Sequence, residues 1–165
     1  MNKIITGLFL LLSYSGFSQA SASASFQTSA DVVDPIKINK VADLNFGSVI
    51  GGDNPGNIIL SPAGTRTANG VEISESSPGE VNPAEATIGH GNNAYSITLP
   101  SSFSLFNSND PSKAMIIDQF TYTQTSNGGN GTDIIKIGAT LNLEANQSPG
   151  SYSNPSGFNA TVSYN

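Results

Sequence analysis

The chain contains no cysteine and no tryptophan, a single histidine, and only 11% charged residues. Without thiols there is no disulfide, no thiolate metal site and no cysteine nucleophile. One imidazole cannot build a site of several histidines, and no thiolate is present to complete one. Six basic side chains stand against twelve acidic ones, a net charge of −6. That balance repels phosphate backbones and argues against nucleic acid as a partner. Long apolar runs are also missing. The longest, Ile4 to Leu12, stops at Ser13, short of the roughly 20 residues needed to span a bilayer.

That run has a different use. Lys3 gives it a positive start, and Ser18-Gln19-Ala20 places small residues before a cut. The pattern predicts a secretory signal peptide over residues 1–20, cleaved after Ala20, with Ala22 the alternative. Cleavage removes Lys3 and leaves five basic against twelve acidic groups, 5 − 12 = −7. The protein is therefore expected to be exported, to the periplasm, the cell surface or the medium. No membrane span is expected in the mature chain, residues 21–165, which is long enough for one domain with a core of its own.

What the sequence has in abundance is Gly, with 17 residues, alongside 9 Pro and many Ser, Thr and Asn. Such punctuation suits many short strands joined by turns. The strands announce themselves by a period of two. Ile135, Ile137, Ala139, Leu141, Leu143 and Ala145 fall on alternate positions, with Lys136, Thr140, Asn142 and Glu144 between them. Phe158, Ala160, Val162 and Tyr164 repeat the pattern at the C-terminus, and Ile36 and Ile38 do so after Pro35. Ala84, Ala86 and Ile88, a Gly89 to Asn93 turn, then Tyr95, Ile97 and Leu99 predict a hairpin. Met115 and Ile117 lie on one parity and Phe120 and Tyr122 on the other, which predicts a bulge near Asp118-Gln119. Directly after the cut, Ala22, Ala24, Phe26, Thr28, Ala30 and Val32 share a parity and predict an N-terminal strand of small residues. The expectation is an all-β, antiparallel two-sheet sandwich of about 8–10 strands.

No catalytic constellation emerges. His90 sits between Gly89 and Gly91 and reads as a turn residue that hydrogen-bonds locally. No G-x-S-x-G elbow surrounds any serine, so a Ser-His-Asp hydrolase has no nucleophile. Asp31 with Asp34, and Glu72 with Glu75, read as solvated loop or edge charge. Asp53-Asn54 and Asp110 lie in polar loops but without the D-x-D-x-D-G series of a calcium loop. Turn formation by their side chains is the expectation. Asn130-Gly131-Thr132, Asn146-Gln147-Ser148 and Asn159-Ala160-Thr161 fit the glycosylation sequon and read as chance matches in an Asn-rich chain. No enzyme activity, metal or cofactor is expected.

Leu44-Asn45-Phe46-Gly47, Pro62-x-Gly64-Thr65-Arg66, Tyr95 to Pro100, Gly138-Ala139-Thr140-Leu141 and the ending Gly150-x-Tyr152 to Asn165 occur in this order. Together they resemble a family of exported bacterial proteins catalogued as a domain of unknown function. That family is similar to spore-coat U and fimbrial subunits, and the resemblance implies an immunoglobulin-like, pilin-like sandwich. The ending looks like that of a chaperone–usher pilin, with an alternating last strand and a penultimate Tyr164, although the disulfide of many pilins is absent.

The functional expectation is a non-enzymatic structural subunit of the cell surface. It would associate with itself or with related subunits by strand addition through the N-terminal strand, using Ala24, Phe26, Ala30 and Val32. The alternative is a monomeric secreted module that binds carbohydrate or calcium through loops at one end of the sandwich.

Overall fold

A computed structural model describes residues 20–129 and 131–165; the signal-peptide run lies outside the described residues. The chain divides after Val32 into two units. In the first, the described residues Ala20–Val32 form no strand and are exposed throughout. This corrects the expectation of a strand over Ala22–Val32. The alternation is there, but a strand exists only where a neighbouring ladder satisfies its backbone groups, and none is assigned to these residues.

The second unit is all-β and antiparallel, and no helix occurs among the described residues. Its strands are β1 (Lys37–Ala42), β2 (Val49–Ile50), β3 (Gly56–Leu60), β4 (Arg66–Asn69), β5 (Glu72–Ile73) and β6 (Ala84–Gly89). They continue as β7 (Tyr95–Thr98), β8 (Ser102–Asn107), β9 (Ala114–Ser126), β10 (Thr132–Leu143), β11 (Tyr152–Ser153) and β12 (Thr161–Tyr164). The main sheet runs in the order β1-β6-β10-β9-β8-β11. β10 is its axis. Thr132 to Ile137 pair with β6, then Ala139 to Leu143 pair with β3, which in turn pairs with β4. One strand thus serves two neighbours in succession on the same side.

The alternation of β10 sorts its side chains as expected. Ile135 is fully buried, and Ile137, Ala139, Leu141 and Leu143 are nearly so. Two clusters result. Around Leu141 and Leu143 gather Phe46, Ile58, Leu60, Met115 and Ile117. Around Ile135 and Ile137 gather Ala84, Ala86 and Ile88, roofed by Tyr95, Ile97, Phe158 and Val162. The roof is the small sheet β7-β12, in which Tyr95 faces Tyr164 and Thr98 faces Thr161. The expected hairpin of β6 with β7 is therefore not formed. The turn after Gly89 carries the chain across the core, so β6 joins β1 and β10 while β7 joins β12.

The bulge is where the parity change puts it. Pairing of β9 with β10 slips between Gly138 and Thr140, and Gln119 has φ 48°. An extra residue there switches the inward parity from Met115 and Ile117 to Phe120.

Candidate functional site

A groove of about 1070 Å³ opens on the inner face of the main sheet. Its floor comes from alternate, inward positions of central strands: Ala84 and Ala86, Ile137 and Leu141, and Met115 and Ile117. One wall is β1 with the segment to Val49, where Ile38, Ala42 and Leu44 face the opening. The other is the irregular segment from Gly150 to Ala160, which presents Phe158 and Ala160.

Ladders are incomplete beside this groove. β1 pairs only with β6, and β12 only with β7. Each leaves one row of backbone N–H and C=O groups without a strand neighbour among the described residues. The small floor residues Ala84 and Ala86 deepen the channel where a larger side chain would fill it. Leu44, Phe103, Leu105 and Phe158 remain only half-buried, so water touches apolar surface that a complete sandwich would cover. Charge at the rim is light. Lys40 and Asp43 pair at 2.8 Å with both side chains largely in solvent, a contact worth little.

At the end of β10 away from Leu143 lies a polar cluster. Asp133 is on the inward parity of Ile135 and is buried, so its carboxylate needs donors. Tyr95 donates its hydroxyl to Asp133 Oδ2 at 2.6 Å, and Gln124 donates Nε2 to the same oxygen at 2.7 Å. His90 Nε2 stands 3.4 Å from that oxygen, while its Nδ1 meets the Asn93 carbonyl at 3.0 Å. Burial pushes the Asp133 carboxyl up, but the hydrogen bonds from Tyr95 and Gln124 and the attraction to His90 outweigh it and hold it below the ordinary range. Burial, then the hydrogen bond and charge of Asp133, push the Tyr95 phenol well up.

These directions predict two limbs of pH dependence. The depressed Asp133 contributes stability that is complete above an unfolded value of about 3.9 and is lost as pH falls through its lower folded value. The raised Tyr95 contributes stability that is complete below about 10 and is lost as pH rises through its higher folded value. Melting temperature measured against pH is expected to fall at both ends, and Asp133→Asn is expected to flatten the acid limb. An acid limb unchanged by that substitution would contradict the assignment.

Tyr164 ties the C-terminus to this region. Its hydroxyl lies 2.6 Å from the Asp34 carbonyl and 3.2 Å from the His90 carbonyl. The last strand therefore holds the root of the N-terminal segment, Asp34 and Pro35, against the β6–β7 turn.

The residues singled out from sequence are placed as follows. Phe26 and Val32 are 88% and 98% exposed, and Ala24 and Ala30 are exposed beside them. Ala20 is exposed. His90 occupies its turn and bonds locally. Asp110 accepts from the Ser112 backbone N–H and hydroxyl, which is a turn role. Asp53, Glu72 and Glu75 do not gather, and no group of three or more His, Asp or Glu able to hold a metal occurs among the described residues. Asn130 of the first sequon lies outside the described residues. The Asp133 cluster escaped the sequence reading, yet an acid on the parity of Ile135 and Ile137 was its visible signal.

The chain matches the family DUF4402, described as a domain of unknown function, over residues 36–164. It belongs to that family. The DUF4402 match begins at Ile36, next to Pro35, and so takes in both walls and the floor of the groove but not the exposed segment before it. No curated protein and no solved structure matches the chain.

Proposed function

We propose that this DUF4402 protein is a non-enzymatic structural subunit, exported to the cell surface or beyond, with an immunoglobulin-like sandwich left one strand short. The exposed segment Ala22–Val32 of one copy lies in the groove of the next and pairs with the open edges of β1 and β12. Ala24, Phe26, Ala30 and Val32 face the apolar floor.

The observation that carries this reading is the coexistence of two complementary features in one chain. One is a groove floored by Ala84, Ala86, Ile137 and Leu141, walled by β1 with its unpaired edge and by the Gly150–Ala160 segment that leads into β12. The other is an exposed segment whose apolar residues recur at every second position, as a strand lying on such a floor requires. From Ala22 to Val32 it bears one charged side chain, Asp31, so little desolvation opposes its burial. Burying Phe26 from its exposed state contributes about 1.5–3 kcal/mol, and the backbone ladder adds direction and register.

Light scattering on the mature chain across a concentration series tests the proposal. Multimers that grow with concentration are expected, and Phe26→Asp, which places a charge on the apolar floor, is expected to abolish growth beyond a dimer, with an unchanged circular dichroism spectrum. A mature wild-type chain that stays monomeric at high concentration would remove the proposal.

A further inference from the structure

The second long open edge of the fold belongs to β9, and it differs from the others. β8 pairs with β9 only from Ala114 to Asp118. Past the bulge at Gln119 the strand runs on to Ser126 with β10 on one side. No strand pairs with its other side among the described residues. Every residue from Thr121 to Ser126 is exposed, including Tyr122, which is 44% exposed, and Gln124.

Open edges are normally guarded against chance pairing by charge, proline or brevity. β1 carries Lys37 and Lys40, β4 is four residues long and begins with Arg66, and β11 has two residues. Gln119 to Ser126 has none of these guards: no charged residue, no proline, and three alternating threonines with two aromatics, Phe120 and Tyr122, all of high strand propensity. In a chain of net charge −6, this is a neutral window through which two copies can meet without like charges opposing each other.

We infer that β9 is a homotypic docking edge, pairing antiparallel with β9 of a second copy about a two-fold axis at Thr123. The register follows from the residues. Thr121, Thr123 and Thr125 lie on the outer face with Lys136, while Tyr122 and Gln124 lie on the inner face with Ile137 and Ile135. Centring on Thr123 sets Thr123 opposite its own copy and Thr121 opposite Thr125, on one face. On the other it sets Tyr122 opposite Gln124. Thr–Thr neighbours across strands are favourable pairs, and the same patch on both copies satisfies a two-fold interface. In this register the new ladder runs from Phe120 to Ser126 of each copy and stops short of Asp118, which Ser102 of β8 already faces, so no carboxylates come together. The edge is distinct from the groove beside β1, and its pairing stands or falls independently of strand addition there.

The absence of cysteine makes the test clean. Facing Cα atoms in an antiparallel pair are about 4.5–5.5 Å apart, within disulfide range. In a mature chain that also carries Phe26→Asp, so that the groove reading cannot supply the contact, Thr123→Cys is expected to form a disulfide dimer under mild oxidation. The rate should exceed that of Thr67→Cys on β4 at least tenfold. Thr123→Lys without the cysteine is expected to turn the dimer seen by light scattering into monomer, with melting temperature unchanged. Equal oxidation rates at positions 123 and 67, or a Phe26→Asp chain already monomeric at the concentrations used, would overturn the inference. A dimer that survives Thr123→Lys would overturn it equally.

Discussion

Gly138→Ala is expected to destabilise the protein by at least about 3 kcal/mol, lowering the melting temperature by about 10 °C or more. Gly138 is the joint of β10, after the last residue that pairs with β6 and before the first that pairs with β3. At this joint the end of β3 and the turn after it cross directly over the strand. A Cβ on Gly138 would fall onto the Leu60 carbonyl oxygen, 2.7 Å from the Ser61 carbonyl carbon and 2.8 Å from the Pro62 nitrogen. All three are backbone atoms, so no rotamer change can relieve the clash. Relief requires moving β3 off β10, and with β3 go the buried Ile58 and Leu60. Gly52→Ala, where a Cβ meets nothing within 4 Å, is the control and should change stability by less than about 0.5 kcal/mol. Thermal melts of the two variants decide it, and similar melting temperatures would show that the joint tolerates displacement.

Ile135→Ala is expected to cost about 2–5 kcal/mol. Ile135 is fully buried, with Ala86 of β6 beside it on one side and Gln124 of β9 on the other. Both neighbours are held by ladders on β10, so the sheet cannot close around the void and most of the cavity persists. Ile116→Ala on the outer face, where Ile116 is 43% exposed, should cost far less. Denaturant melts that rank Ile116→Ala equal to Ile135→Ala would contradict this division of faces.

How much of this was legible in the chain depends on which forces wrote it. The period of two in β10 and β12 transmits burial directly, because water sorts the two faces of a strand, and those elements stand where alternation puts them. The bulge at Gln119 was readable for the same reason, since a parity switch between Ile117 and Phe120 has few other causes. Pairing was harder. Ala84 to Leu99 has the spacing of a hairpin, and nothing local says that β7 crosses to another sheet; long-range burial of Tyr95 and Ile97 against Ile135 decides that. β4 was missed because Arg66-Thr67-Ala68-Asn69 has almost no apolar alternation, and it is a strand because β3 offers it a ladder. Conversely, Ala22 to Val32 alternates as well as β12 does and yet is exposed, since a pattern specifies a face and not the presence of something to cover it. That mismatch is the feature on which the functional proposal rests.

Amide hydrogen exchange at the groove edges tests that proposal most directly. The backbone amides of β1 and β12 are compared between mature chains at a concentration where they associate and Phe26→Asp chains at the same concentration. If a strand from a neighbouring copy fills the groove, outward-facing amides from Lys37 to Ala42 and from Thr161 to Tyr164 should exchange at least about a hundredfold more slowly in the associated form. The residues from Ala22 to Val32 should gain protection with them. Equal exchange at those edges in both samples would show that the groove stays open and that the chain does not assemble through it.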